Sequence, residues 1–176
     1  MTRFLAAFLC ACLALLADPA AAQVRLSFHS FNGSVLWGRY PHTFIVMDGT
    51  LDATGQRVAE NYGYTAVNAN AAVLRGNVRG TVWSEDAKYI AGTNRHFSVA
   101  ISDAQYHAIE AEVARWRTDP GQSYSLDHNN CVHFVARIAA MVGLAVQVPQ
   151  AMVRRPKAWL NLMTRLNPQL GAREVG

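Results

Sequence analysis

Tyr124-Ser125-Leu126-Asp127-His128-Asn129-Asn130-Cys131-Val132-His133-Phe134-Val135 is the stretch on which the reading of this chain turns. From Cys131 onward the apolar residues Phe134, Val135, Ile138, Ala139 and Val142 recur at helical spacing, and Gly143 follows them. That pattern predicts a helix from Cys131 to Val142 with one buried face, closed by the glycine. Asn129 or Asn130 supplies the short polar side chain that caps a helix start. Cys131 therefore falls in the first turn, at the buried edge of the apolar stripe. A thiol attacks as its thiolate, and the unpaired amides of a helix start favour that anion. The same amides, next to Asn130, can receive the oxyanion formed when a carbonyl is attacked. Spacing alone also fits a small, inert core residue, because free cysteine is among the most buried residue types. A nearby base has to separate the two readings.

Six histidines are available. His133 lies two positions past Cys131 and so turns to another side of the helix. His128 belongs to the loop before the helix, where it is loosely held. His42 follows Pro41 and opens a run of β-formers, Thr43-Phe44-Ile45-Val46-Met47. A strand end beside a helix start is good positioning geometry, so His42 is favoured over His128. His29, His96 and His107 have no evident context. A metal site at His128-x-x-Cys131-x-His133 is disfavoured, since only two of these side chains can converge at a helix start while zinc takes three or four ligands. Neither a metal nor another cofactor is expected.

Outward from these residues the chain divides into strands first and helices later. Residues 41–67 read as strand, turn, strand, with Asp48-Gly49 and Thr54-Gly55 as breakers. Residues 72–90 read as further short β-like pieces, and 95–101 as another strand. Ser102 with Gln105 has the form of a capping box, opening a helix that carries Ile109, Val113 and Trp116 to Asp119-Pro120-Gly121. A last amphipathic helix is expected from Pro156, with Trp159, Leu162, Met163 and Leu166 on one face. The fold class is α+β, an antiparallel sheet packed on helices.

The quoted segment resembles the nucleophile segment of the lecithin:retinol acyltransferase family, which carries Tyr-Ser-Leu and then Asn-Cys-x-His-Phe-Val at a helix start. Pro41-His42-Thr43-Phe44-Ile45-Val46-Met47 is similar to the histidine strand of that family. The family belongs to the circularly permuted branch of the NlpC-type papain-like superfamily, in which the histidine strand precedes the cysteine helix. This chain has that order. The resemblance implies Cys131 as nucleophile, His42 as base, and a third polar residue on the following strand. Glu60 and Asn61 compete for that place and face opposite sides of a strand. A carboxylate would best hold an imidazolium, which favours Glu60. The acyltransferases have a second histidine there, and this chain does not.

The amino terminus reads as a targeting segment. Arg3 precedes an apolar run from Phe4 to Ala17, and Ala20-Ala21-Ala22 offers a cleavage site before Gln23. Cys10 and Cys12 lie inside that segment, so a mature chain keeps Cys131 as its one thiol and forms no internal disulfide. Three regions are expected: a signal peptide over 1–22, a thiol-enzyme domain over 23–153, and a basic amphipathic helix and tail over 154–176. Residues 23–153 carry ten basic and ten acidic side chains, so the net charge of +4 resides in the tail. Such a tail can touch a membrane surface or an anionic wall polymer, or can simply be a solvated helix face. The neutral body excludes a nucleic-acid partner. Asn32-Gly33-Ser34 fits a glycosylation triplet of low specificity. The expected protein is an exported, monomeric cysteine amide hydrolase acting on an envelope substrate such as wall peptide. The alternatives are a lipid-directed acyltransferase or esterase, a secreted binding protein without catalysis, and a toxin delivered to other cells.

Overall fold

The computed structural model describes residues 23–34, 40–67, 71–118 and 123–176. Residues 1–22, with the expected cleavage site, lie outside the described residues. Among the described residues the strands are β1 (Val24–Phe31), β2 (His42–Thr50), β3 (Arg57–Ala66), β4 (Val78–Trp83), β5 (Asn94–Ile101) and β6 (Ser123–Tyr124). The helices are α1 (Ala87–Ala91), α2 (Asp103–Thr118), α3 (Cys131–Met141) and α4 (Pro156–Leu166). The strands form one antiparallel sheet in the order β5-β1-β2-β3-β4-β6.

Each helix has a local cause. Ser102 and Gln105 cap α2 reciprocally, the Ser102 amide donating to Gln105 Oε1 (3.0 Å) and the Gln105 amide to Ser102 Oγ (3.3 Å). Pro156 opens α4, where its missing N–H is not needed. Asp86 caps α1 by accepting from the Tyr89 amide at 2.7 Å. That cap corrects the all-β reading of 72–90, which holds a 3-10 turn at Ala71–Leu74, then β4 and α1.

The core lies between one face of the sheet and the helices α2, α3 and α4. Leu26 and Phe28 of β1, Ile45 and Met47 of β2, and Tyr62 and Tyr64 of β3 meet Ile109, Phe134, Ile138 and Trp159 there. Packing is close enough that Gly80 is required: a Cβ there would fall within 1.9 Å of the Tyr64 hydroxyl. Helix α4 belongs to this core, with Trp159, Leu160 and Met163 fully buried. Its apolar stripe is thus occupied by the sheet. The tail folds back onto it, Asn161 exchanging hydrogen bonds with Val175, Arg165 pairing with Glu174, and Lys157 donating to the Gly176 carbonyl.

Candidate active site

A cavity of about 660 Å³ opens at the end of the sheet where β2 begins and β3 ends. Its wall includes His42, Cys131, Asn130 and Tyr124, so the two residues expected to react border one space. That volume lies within the range of small-molecule sites.

Cys131 is the first residue of α3 and is 3% exposed. Burial pushes its thiol up to about 11, although the backbone amides of Thr43, Val132 and Cys131 itself pull in the opposite direction. Desolvation wins, so the resting thiol is protonated. The Thr43 amide belongs to the residue after His42, and this contact joins the cysteine helix to the histidine strand. Tyr124 stands near enough that a thiolate would raise its hydroxyl further, beyond the larger effect of burial.

Asn130 holds the helix start. Its Oδ1 accepts from the Val132 amide at 2.9 Å, and its Nδ2 donates to the carbonyls of Leu126 (2.6 Å) and Val153 (2.9 Å). His133 completes a capping box, its Nδ1 accepting from the Asn130 amide at 3.3 Å. Both Asn130 amide hydrogens are engaged, which leaves the side chain a structural clamp and the oxyanion to backbone amides. Asn130→Ala is expected to remove the cap and orphan two carbonyls, costing about 2–4 kcal/mol. A urea melt that shifts by less than about 1 kcal/mol would contradict this account.

The His42 imidazole lies over Gly63 of β3, where an added Cβ would come within 2.4 Å of Nε2, and it stacks on Phe44 at 6.1 Å. Burial lowers it to about 4, so it is neutral at pH 7. Among the described residues no hydrogen bond joins it to the Cys131 sulfur. His42 shares its sheet face with Phe44 and Gly63, whereas Ile45 and Tyr64 face α3. Imidazole and thiol therefore reach the cavity from the two sides of the β2 terminus.

Glu60 and Asn61 sit on opposite sides of β3. Glu60 turns toward α2, where the Tyr106 hydroxyl donates to it at 3.3 Å and the Tyr62 hydroxyl lies at 3.3 Å. Tyr62 also reaches Glu110 (3.4 Å), whose carboxyl is raised by burial and by the Glu60 charge. Asn61 is used by the loop before α1, accepting from the Glu85 amide (2.6 Å) and donating to the Glu85 carbonyl (3.0 Å). The structure brings neither residue into hydrogen-bond contact with His42. What it places against the imidazole is Gly63, and the signal for that was a glycine inside a strand, which marks close approach.

The other histidines are placed elsewhere. His128 is exposed beside the Asp127–Arg154 ion pair. His29 bonds Thr93, His96 bonds Ser30, and His107 lies on α2 against Tyr106. Among the described residues no group of three or more His, Cys, Asp or Glu side chains converges as metal ligands.

A histidine strand precedes a cysteine helix in this chain, on an antiparallel sheet backed by helices. The sequence matches no family profile and no curated protein. Its fold is similar to the crystal structure of the type VI secretion system effector TseH, with a TM-score of 0.56 at 14% identity. The match covers 83% of this chain and 90% of TseH. At that identity the likeness concerns the fold.

Proposed function

We propose that this protein is an exported, cysteine-dependent acyl hydrolase or acyltransferase that forms a thioester on Cys131. The observation that carries the reading is the shared cavity, with a thiol at a helix start and an imidazole at a strand start in one wall. Cys131 Sγ attacks the substrate carbonyl carbon while His42 takes the thiol proton, and backbone amides at the α3 start receive the oxyanion. Collapse expels an alcohol or amine, which takes the proton from His42. Water or another acceptor then releases the acyl group. Because burial keeps thiol and imidazole neutral, proton transfer accompanies attack, and no ion pair precedes it. Neither Glu60 nor Asn61 is given a role in these steps.

The apolar lining supports an acyl chain over a polar wall peptide. Val73, Leu74, Trp83, Leu126 and Val153 all border the cavity, so an ester or amide of a lipid is the favoured substrate. The apolar leader supports export, and likeness to a secretion-system effector agrees with a role outside the cytosol.

The test is intact-mass analysis after mixing with p-nitrophenyl octanoate or acetate. An acyl adduct mapped to Cys131, faster with the octanoyl ester and missing in Cys131→Ala, is expected. Absence of any adduct on the native chain would overturn the reading, and an adduct only from wall-peptide amides would overturn its lipid form.

A further inference from the structure

Large apolar side chains exposed one by one are ordinary; exposed ones gathered at one place are not. Tyr40 (54% exposed), Val67 (44%), Leu74 (69%) and Trp83 (58%) are the large hydrophobics open to solvent among the described residues. All four border the cavity that holds Cys131. They therefore form its rim. We infer that this rim is a docking surface for an anionic lipid bilayer, presenting the cavity mouth to the membrane.

Charge complementarity selects the occupant. Along β4 alternate residues share a face, so exposed Arg79 stands on the same side as Trp83. The Val67 amide bonds the Arg79 carbonyl at 2.9 Å, which sets Val67 of the rim beside it. Arg75 follows Leu74, and both border a second depression together with Arg154. Arg155, next along the chain, is exposed as well. Against these four arginines stand Glu85 in the cavity wall, exposed Asp86 next to it in the chain, and Asp127, which is paired with Arg154. The balance at the rim is positive, with Arg75 and Arg79 from the body and Arg154 and Arg155 from the basic segment that follows it. Trp and Tyr prefer the headgroup level, aliphatic side chains enter the acyl region, and arginines bind lipid phosphates. The rim has all three kinds of side chain in one place. The apolar stripe of α4, the other candidate for membrane contact, is buried in the core.

The inference deepens the proposed function by naming how the substrate is met, and it rests on that reading only for the chemistry after docking. The test is therefore sedimentation of full-length Cys131→Ala protein with vesicles of phosphatidylcholine, with and without phosphatidylglycerol. Binding to the anionic vesicles, weakened by salt, is expected. Leu74→Ser with Trp83→Ser should lower partitioning at least tenfold, and Arg75→Gln with Arg79→Gln should remove the preference for anionic lipid. All four residues are exposed, and an unchanged thermal melt shows that the variants fold. No binding to either vesicle, equal binding to both, or binding indifferent to the rim variants would overturn the inference. Thioester formation without vesicle binding refutes docking alone, and vesicle binding without a thioester refutes the enzyme alone.

Discussion

Acidification from pH 6.5 to pH 4 is expected to remove a large part of this protein's stability, through two histidines outside the cavity. His29 and His96 are 8% and 5% exposed, and burial lowers each to about 4 from an ordinary value near 6.5. Arg95 and His96 add to the effect at His29; at His96 a hydrogen bond with Asn161 opposes it and Lys157 adds to it. In the unfolded chain both rings take up a proton as pH falls through 6.5, whereas in the folded protein they refuse it until about 4. The unfolded state therefore binds more protons across that window, and stability drops as pH falls through it. A shift of this size corresponds to about 3 kcal/mol for one ring, and because the His96 charge is itself one cause of the His29 shift the two contributions overlap and sum to less than twice that. His42 acts with the same sign. Glu110 opposes it, because its raised carboxyl takes up a proton earlier in the folded state. Glu112, held at about 2 by Arg115, adds a further loss below the ordinary carboxylate range. Melting curves at pH 7.5, 6, 5 and 4.5 should show a falling midpoint. His96→Gln, which keeps a hydrogen-bonding group for Ser30, should flatten the curve. A midpoint constant across that range would show that these rings titrate normally.

The elements legible in the sequence were those whose cause is local. The Asn130 cap and the stripe from Cys131 to Ile138 mark α3, and Ser102 with Gln105 marks α2. β2 announces itself by its β-branched run. β1 does not, because it runs between β5 and β2 with six of its eight residues buried, so Val24–Phe31 shows little alternation. Its existence depends on partners distant in sequence. The site divides in the same way. Cys131 at a helix start and His42 at a strand start follow from motif and spacing. The protonation of the pair does not, since the helix-start amides favour a thiolate and only the depth of burial reverses the balance. The surroundings of Glu60 were equally hidden, because Tyr106 and Glu110 come from a helix that begins more than forty residues later.

Gly63→Ala is expected to slow acylation of Cys131 by about 100-fold with little loss of stability. The new Cβ would fall 2.4 Å from His42 Nε2 and 3.0 Å from Phe44 Cβ. Phe44 is fully buried and cannot give much, whereas an imidazole ring can swing, so His42 moves. Displacing a reacting group by about 1 Å costs on the order of 10² in rate. Alanine suits a strand interior better than glycine, by about 0.5–1 kcal/mol, which offsets part of the crowding. His42→Ala removes the proposed base entirely and should cost about 10³-fold. The double variant separates the two effects. If Gly63 acts through the position of His42, then Gly63→Ala adds nothing once His42 is alanine, and the two losses are strongly non-additive. Alkylation of Cys131 by iodoacetamide at pH 10 should be the same in all four proteins, because the thiol and its amides are untouched. Rates that multiply in the double variant would mean that Gly63 supports the cavity by some route other than His42. An unaltered rate in Gly63→Ala would remove His42, as seated here, from the reaction.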